Sequence, residues 1–133
     1  MSTLLEFLME NPVDNLTADV IVSARLAKFP FKIKAMTGPE FTEYQKAATR
    51  ISKNGKKVDF NSKVFNEMVV LNHTIEPNFR DAESLRKAGF TSPEQFMYKC
   101  LLAGEIAELS QQISSLSGFD KDLESNVEEA KNF

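Results

Sequence analysis

The stretch KFPFKIKAMTGPE, residues 28–40, combines the pattern of a β-strand with the pattern of a helix start. Apolar and polar residues alternate through its first half, which predicts a half-buried strand. Pro30 lacks a backbone N–H, so this strand begins there or lies at a sheet edge. Thr37 and Glu40 have the spacing of a capping box, which predicts that a helix begins here. The side chains predicted to face inward from the strand are Phe29, Phe31, Ile33 and Ala35.

The residues upstream predict a partner for this strand. From Ala18 the sequence again has a period of two, and the short connection favours an antiparallel hairpin. The predicted inward residues of the first strand are Val20, Val22, Ala24 and Leu26. Nearer the N-terminus, an apolar cluster ends at Asn11-Pro12, where the residue before proline avoids helical geometry. This cluster predicts a short turn or helix formed by Leu4, Leu5, Phe7 and Leu8.

Helical patterns dominate the rest of the chain. The helix from Thr37 is predicted to continue to Ile51, and a second begins at about Ser62 and ends at Glu76-Pro77. A short helix over 82–88 ends at Gly89, and the capping pattern at 91–94 opens another, interrupted at Gly104. The predicted inward faces are Phe41, Tyr44, Ala48 and Ile51; Phe65, Met68, Val69 and Asn72; Phe96, Met97, Cys100 and Leu101; and Ile106, Leu109, Ile113 and Leu116.

Together these patterns predict an α+β fold: a mostly helical single domain with an N-terminal antiparallel β-hairpin and about five helices. A chain of 133 residues is long enough for one ordinary core. We divide it into a short apolar segment (1–16), a globular α+β domain (17–117) and an acidic C-terminal helix or tail (118–133).

The charge is unevenly distributed, although the net charge is only -3. Residues 1–24 contain four acids and no Lys or Arg, whereas residues 25–63 contain ten bases and three acids. This basic segment allows either internal ion pairs or an anionic partner. Nucleic-acid binding is disfavoured because Lys outnumbers Arg, no recognition motif is present, and the interleaved Phe residues are predicted to build the core.

Nothing in the sequence predicts catalysis, a cofactor or a metal site. His73 is the only histidine, so a histidine-based metal cluster is excluded unless carboxylates supply the other ligands, and its place near a helix end favours a structural role. Cys100 is the only cysteine, which suits a reducing compartment, and its apolar neighbours predict a buried thiol. No stretch has the length of a membrane-spanning helix, and the N-terminus lacks the pattern of a signal peptide.

The order of several short segments resembles a known family. A leucine-rich N-terminal turn is followed by FKIKAMT, EPNFRDAESL, LLAGEIAEL and finally SGFDKDLESNVEEAKN. This succession resembles the tail assembly chaperones of long-tailed phages and defective prophages, of the contractile-tail, PBSX-like type. One departure is Ala103, where the family pattern has Pro before Gly-Glu, and we expect it to soften the helix break.

The resemblance implies a non-enzymatic protein of the host cytoplasm. Such chaperones bind the tape measure protein, keep it soluble while the tail tube protein polymerises around it, and are absent from the mature particle. Two alternatives remain open: a nucleic-acid-binding phage or bacterial regulator, and a structural tail or head connector protein.

The two ends of the chain are the predicted partner-binding segments. Their apolar residues are poorly placed for the main core and suit the tape measure protein or self-association, although they could also dock on the domain. The predicted partner-binding residues are Leu4, Leu5, Phe7, Leu8, Phe119, Leu123 and Val127.

The C-terminal residues also suggest a programmed frameshift. Proteins of this kind are often made in two lengths, the longer arising when the ribosome slips back one nucleotide. The sequence Ala130-Lys131-Asn132 can be encoded with an unbroken run of adenines that ends in the Asn132 codon, and such slippage occurs on runs of this kind. We therefore expect residues 120–131 to form a solvated helical connection to a frameshifted extension.

Overall fold

Helices form most of the described chain, which covers residues 2–51 and 55–119 of this computed structural model. In this part the helices are α1 (Thr3–Glu10), α2 (Gly38–Ala48), α3 (Ser62–His73), α4 (Ala82–Ala88), α5 (Pro93–Cys100) and α6 (Ala103–Leu116). The strands are β1 (Thr17–Val20), β2 (Phe31–Lys34), β3 (Thr49–Ile51), β4 (Val58–Phe60) and β5 (Thr74–Glu76). The predicted α+β class is confirmed, with an antiparallel hairpin near the N-terminus and five helices after it.

The strand predicted within residues 28–40 is the central strand of a three-stranded antiparallel sheet. β2 pairs with β1 on one side and with β5 on the other. Phe31 and Ile33 point into the core while Lys32 points to solvent, as the alternation predicted. Pro30 immediately precedes β2, so its missing N–H removes no ladder hydrogen bond from the central strand.

The capping box at the start of α2 is confirmed. The Thr37 side chain accepts the Glu40 N–H, and the Glu40 carboxylate accepts the Thr37 N–H at 2.9 Å. Pro39 lies in the first turn, where an N–H has no helical partner to lose. The same arrangement holds Glu40 as an anion, since hydrogen bonds from Thr37 lower its pKa.

The core lies between the sheet and the two longest helices, α3 and α6. Its largest fully buried side chains come from β2, α3, α5 and α6. The buried members of the predicted faces are Val22, Phe31, Ile33, Ala35, Tyr44, Ala48, Val69, Met97, Leu101, Ile106, Leu109 and Ile113. The amphipathic pattern of α6 was therefore a reliable guide to the core.

Three predicted elements end earlier than the sequence suggested. The first strand stops at Val20, and residues Ala24–Leu26 form a 3-10 turn instead, because Ser23 and Arg25 bind Glu105 on α6. α2 stops at Ala48 rather than Ile51, because residues 49–51 pair with 58–60 in a second hairpin. α3 stops at His73, and the residues before Pro77 form β5.

Four of the predicted inward side chains are exposed: Ala24, Phe29, Ile51 and Cys100. Phe29 is 68% exposed because it precedes Pro30 and lies in the loop rather than in the strand. Ile51 is 68% exposed because it belongs to β3, outside the helical face to which we assigned it.

The short helix over 82–88 is confirmed, and Gly89 ends it with a positive φ of 79°.

Candidate protein-interaction surfaces

The N-terminal helix α1 carries an exposed apolar surface. Ser2 caps its start by accepting the Leu5 N–H at 3.0 Å, and Asn11 donates its backbone N–H to the Phe7 carbonyl at its end. None of the side chains of α1, all within the described residues, is buried. We define the α1 surface as Leu4, Leu5, Phe7, Leu8 and Met9, which are between 47% and 67% exposed.

An isolated helix of eight residues is marginally stable in water, and contiguous apolar patches mark interaction sites. Beside α1 lies a groove of about 650 Å³, lined in part by Phe7, Pro12, Val13 and Leu16. The groove continues the apolar character of α1 toward β1. An apolar helix of a partner would bury the α1 surface and fill this groove.

Both predicted partner-binding segments join the domain at the same end of the sheet. Ala35 donates its N–H to the Leu16 carbonyl, and the next residue, Met36, donates its N–H to the Ser117 hydroxyl, both at 2.8 Å. Leu16 follows α1 and Ser117 precedes Phe119, so the two residues directly after β2 anchor both segments. Phe119 itself contacts Phe41, with ring centroids 4.7 Å apart.

Leu123 and Val127 lie outside the described residues, so the structure does not place these two predicted partner-binding side chains. Their assignment stays a prediction. The domain boundaries at 16 and 117 likewise stay predictions.

A buried carboxylate, Glu105, joins α6 to the loop after β1. Glu105 is 4% exposed and accepts hydrogen bonds from Ser23 Oγ and Arg25 Nη2, each at 2.5 Å, and from the Leu102 N–H at 2.7 Å. The hydrogen bond from Arg25 is the main reason that the pKa of Glu105 falls to about 2. Arg25 also donates to the Cys100 carbonyl at 2.8 Å. These hydrogen bonds hold the end of α5 and the start of α6 against the loop after β1.

We missed the role of Glu105 in the sequence, although LLAGE was one of the segments that carried the resemblance. A Glu three residues after a helix N-cap is the available signal, since it can accept the N-cap N–H. Here the N-cap residue is Leu102, which has no side-chain acceptor to complete the box. The three donors around one buried carboxylate indicate a structural role.

Ala103 occupies the first position of α6, where proline is favoured. Leu102 has φ -75° and ψ 157°, a conformation that a residue before proline readily adopts. We expect Ala103→Pro to stabilise the fold by about 0.4–1 kcal/mol, because it restricts the unfolded chain without removing a helical hydrogen bond. Chemical denaturation measures this change.

The matched control for this prediction is Leu102→Pro, one residue earlier. Leu102 and its preceding residue also have extended backbone geometry, but the Leu102 N–H donates to Glu105. This variant should therefore lose stability while Ala103→Pro gains it. Equal losses in both variants would contradict the assigned start of α6.

The only histidine of the chain is a core residue. His73 is fully buried at the end of α3, and its Nε2 lies 2.8 Å from the Tyr44 hydroxyl and 3.8 Å from a Glu40 oxygen. Burial lowers the pKa of His73, while Glu40 opposes this shift. Burial also raises the pKa of Tyr44 to about 12. These contacts fit the structural role predicted for His73.

The prediction of a buried Cys100 was wrong, since this residue is exposed at the end of α5. The helix ends at Cys100, and the neighbouring Leu101 enters the core in its place. Partial burial still raises the pKa of the thiol, which keeps it protonated and weakly reactive.

Ser92 rather than Thr91 caps the start of α5, because its side chain accepts the Gln95 N–H.

Part of the basic segment is engaged in internal contacts. Arg25 pairs with Glu105, and Lys63 lies 3.8 Å from Glu67 and 5.6 Å from the centre of the Tyr98 ring. Internal pairing was one of the two explanations for the uneven charge, and these pairs support it.

No helix in the described residues is long and apolar enough to cross a membrane.

Comparison with known proteins decides the family. The sequence profile described as "Phage XkdN-like tail assembly chaperone protein, TAC" matches residues 4–131. The chain belongs to this phage tail assembly chaperone family. The match includes α1 and nearly all residues after it, and the resemblance to the PBSX-like type is confirmed.

Two relatives in Bacillus subtilis (strain 168) support this assignment. The tail assembly chaperone is 32% identical over 108 residues to the phage-like element PBSX protein XkdN, covering 77% of this chain and 72% of the relative. The same values hold for the uncharacterized protein YqbN. A crystal structure of the protein YqbN shows the same fold, with a TM-score of 0.65, 21% identity and coverage of 90% of this chain and 99% of that one.

Proposed function

We propose that this tail assembly chaperone binds the tape measure protein of a phage tail. The observation that carries the proposal is the α1 surface, an exposed apolar helix at the edge of a well-packed domain. A tape measure protein is long and largely helical, with apolar side chains that need cover before the tail tube encloses them. Helix-in-groove binding provides that cover through apolar anchors spaced three and four residues apart.

The acidic residues on and near α1 complement this apolar contact. Glu6 and Glu10 lie on the same helix, and residues 1–24 contain no Lys or Arg. Charges at the rim of an apolar interface influence association rate and partner choice more than affinity. A basic or neutral apolar helix therefore fits this surface better than an acidic one.

The proposed role is non-enzymatic, takes place in the host cytoplasm, and ends when the tail tube protein surrounds the tape measure protein. We expect the chaperone in lysates but not in finished tails. Quantitative mass spectrometry of purified particles tests this, with the tail tube protein as the internal standard. A fixed number of chaperone copies per particle would instead support a structural connector protein.

We also propose that Leu123 and Val127 contact the tape measure protein or another copy of the chaperone. Replacing both with serine should weaken tape measure binding and leave the melting temperature nearly unchanged, because neither residue was predicted to belong to the main core. Pull-down of the tape measure protein and thermal unfolding measure the two effects. A large fall in melting temperature would assign these side chains to the core.

A frameshifted longer form is the last part of the proposal. The native gene, expressed with its downstream region, should yield a 15.0 kDa product and a longer product in intact mass spectra. Silent recoding of the Lys131 and Asn132 codons should remove only the longer product, because slippage depends on the codons. A single 15.0 kDa product from both genes would contradict the proposal.

A further inference from the structure

Four phenylalanine rings form a continuous row across the surface of the domain. Phe119 contacts Phe41, Phe41 contacts Phe65, and Phe65 contacts Phe60, with ring centroids 4.7, 5.8 and 5.5 Å apart. We call these four residues the aromatic row. Its inner members are half-buried, whereas Phe119 and Phe60 at its ends are 51% and 52% exposed. The row therefore links the end of the described chain to the β3–β4 hairpin.

The β3–β4 hairpin at the far end of the row is both apolar and basic. Ile51 and Val58 face each other across the two strands and are 68% and 67% exposed. The described residues of this hairpin and its turn include Arg50, Lys56 and Lys57, against a single acid, Asp59. Such a surface suits an acidic segment that also carries apolar side chains.

The segment that follows Phe119 has this chemistry. Residues 120–133 contain five acids and two lysines, and their apolar residues Leu123, Val127 and Ala130 recur at helical spacing. The starting point of the segment is well defined, because Phe119 donates its N–H to the Ser114 carbonyl at 2.9 Å and packs on Phe41. The segment thus begins at one end of the aromatic row.

We propose that residues 120–133 bind along the aromatic row and cover the β3–β4 hairpin of the same chain. Leu123 and Val127 would contact the exposed apolar side chains, while the acids would lie near the hairpin bases. A helix of this length spans about 20 Å, longer than the three ring contacts joined end to end. A covalent tether this short gives an effective concentration in roughly the millimolar range, which favours the same chain over a second copy.

Docking has a consequence for partner binding. It covers Leu123 and Val127, which we proposed above as partner-binding residues, so a partner would have to displace the segment before using them. That consequence rests on the proposed function, whereas the docking itself does not. The experiment therefore uses the chaperone alone.

Paramagnetic relaxation in NMR spectra tests the proposal. The exposed Cys100 is first replaced by serine, Phe133→Cys is introduced, and a nitroxide is attached to the new thiol of isotopically labelled protein. We expect the amide signals of residues 49–51 and 55–60 to broaden. A mixture of isotopically labelled protein without nitroxide and unlabelled protein with nitroxide should show no such broadening. Equal broadening in the mixture would indicate contact between copies and overturn the proposal.

Charge reversal provides the second arm of the test. Arg50→Glu with Lys57→Glu should remove the broadening, and adding Glu128→Lys with Glu129→Lys should restore it, because the complementary charges have been exchanged. Lys28→Glu is the matched control, since Lys28 is an exposed base outside the hairpin. Core methyl signals of Ile33 and Val69 report whether each variant is folded. Absence of hairpin broadening in the folded parent protein, or broadening unaffected by charge reversal, would overturn the proposal.

Discussion

Replacing Leu4, Phe7 and Leu8 together with serine lowers the affinity for the tape measure protein by at least about 100-fold. These side chains are 67%, 60% and 55% exposed in the free protein, so each can bury apolar area only when a partner binds. Burying one such side chain contributes roughly 1.5–3 kcal/mol, and about 2.8 kcal/mol in total corresponds to the 100-fold change. Isothermal titration calorimetry with a soluble tape measure fragment measures the affinity.

The same triple variant should keep its melting temperature within about 2 °C of the parent, because surface substitutions usually change stability by less than 0.5 kcal/mol or so. Phe29→Ser is the matched control: Phe29 is 68% exposed but lies in the loop before β2. It should bind the tape measure protein like the parent. Undiminished binding by the triple variant would exclude the α1 surface as the binding site.

Replacing Glu105 with glutamine lowers the free energy of unfolding by about 2 kcal/mol and the melting temperature by about 6 °C. The Glu105 carboxylate accepts hydrogen bonds from Ser23, Arg25 and Leu102. A glutamine amide replaces one of the two acceptor oxygens with an N–H2 donor and removes the charge that pairs with Arg25, so the buried network loses part of its hydrogen bonding. Glu108→Gln is the matched control, because Glu108 lies on the same helix and accepts only from Gln112 among the described hydrogen bonds.

The Glu105 contribution should also depend on pH. Hydrogen bonding lowers its folded-state pKa to about 2, below its ordinary value of about 4.3 in an unfolded chain. The stabilisation is therefore fully present above about pH 5 and is lost as the pH falls toward 2. Urea unfolding of the parent and Glu105→Gln across this range should give free energies that converge at low pH. A constant difference between them would contradict the assigned role of the carboxylate.

The local signals in the sequence were sufficient where both partners of an interaction lie close together in the chain. Thr37 and Glu40 cap α2 from three residues apart, and Gly89 ends α4 as its position predicts. β5 was missed because residues 74–76 are too few to show a period, and their strand geometry comes from pairing with the distant β2. Residues 49–51 likewise continue a helical pattern but pair with 58–60.

The candidate site follows the same division between local and distant interactions. The exposed apolar α1 could be predicted, since Asn11-Pro12 separates its apolar residues from the rest of the domain. The contacts of Glu105 with Ser23 and Arg25 could not, because these residues are 82 and 80 positions away in the chain. Cys100 was assigned to the core from helical spacing, but α5 ends at that residue. Spacing alone does not show where a helix stops.

Co-expression with the full-length tape measure protein tests the central claim most directly. The measurement is the fraction of tape measure protein that stays soluble and elutes together with the chaperone in size-exclusion chromatography. We predict that the parent chaperone keeps most of the tape measure protein soluble in one complex, and that the tape measure protein precipitates when expressed alone. A tape measure protein that stays insoluble with the chaperone, or that is soluble but elutes separately from it, would contradict the account.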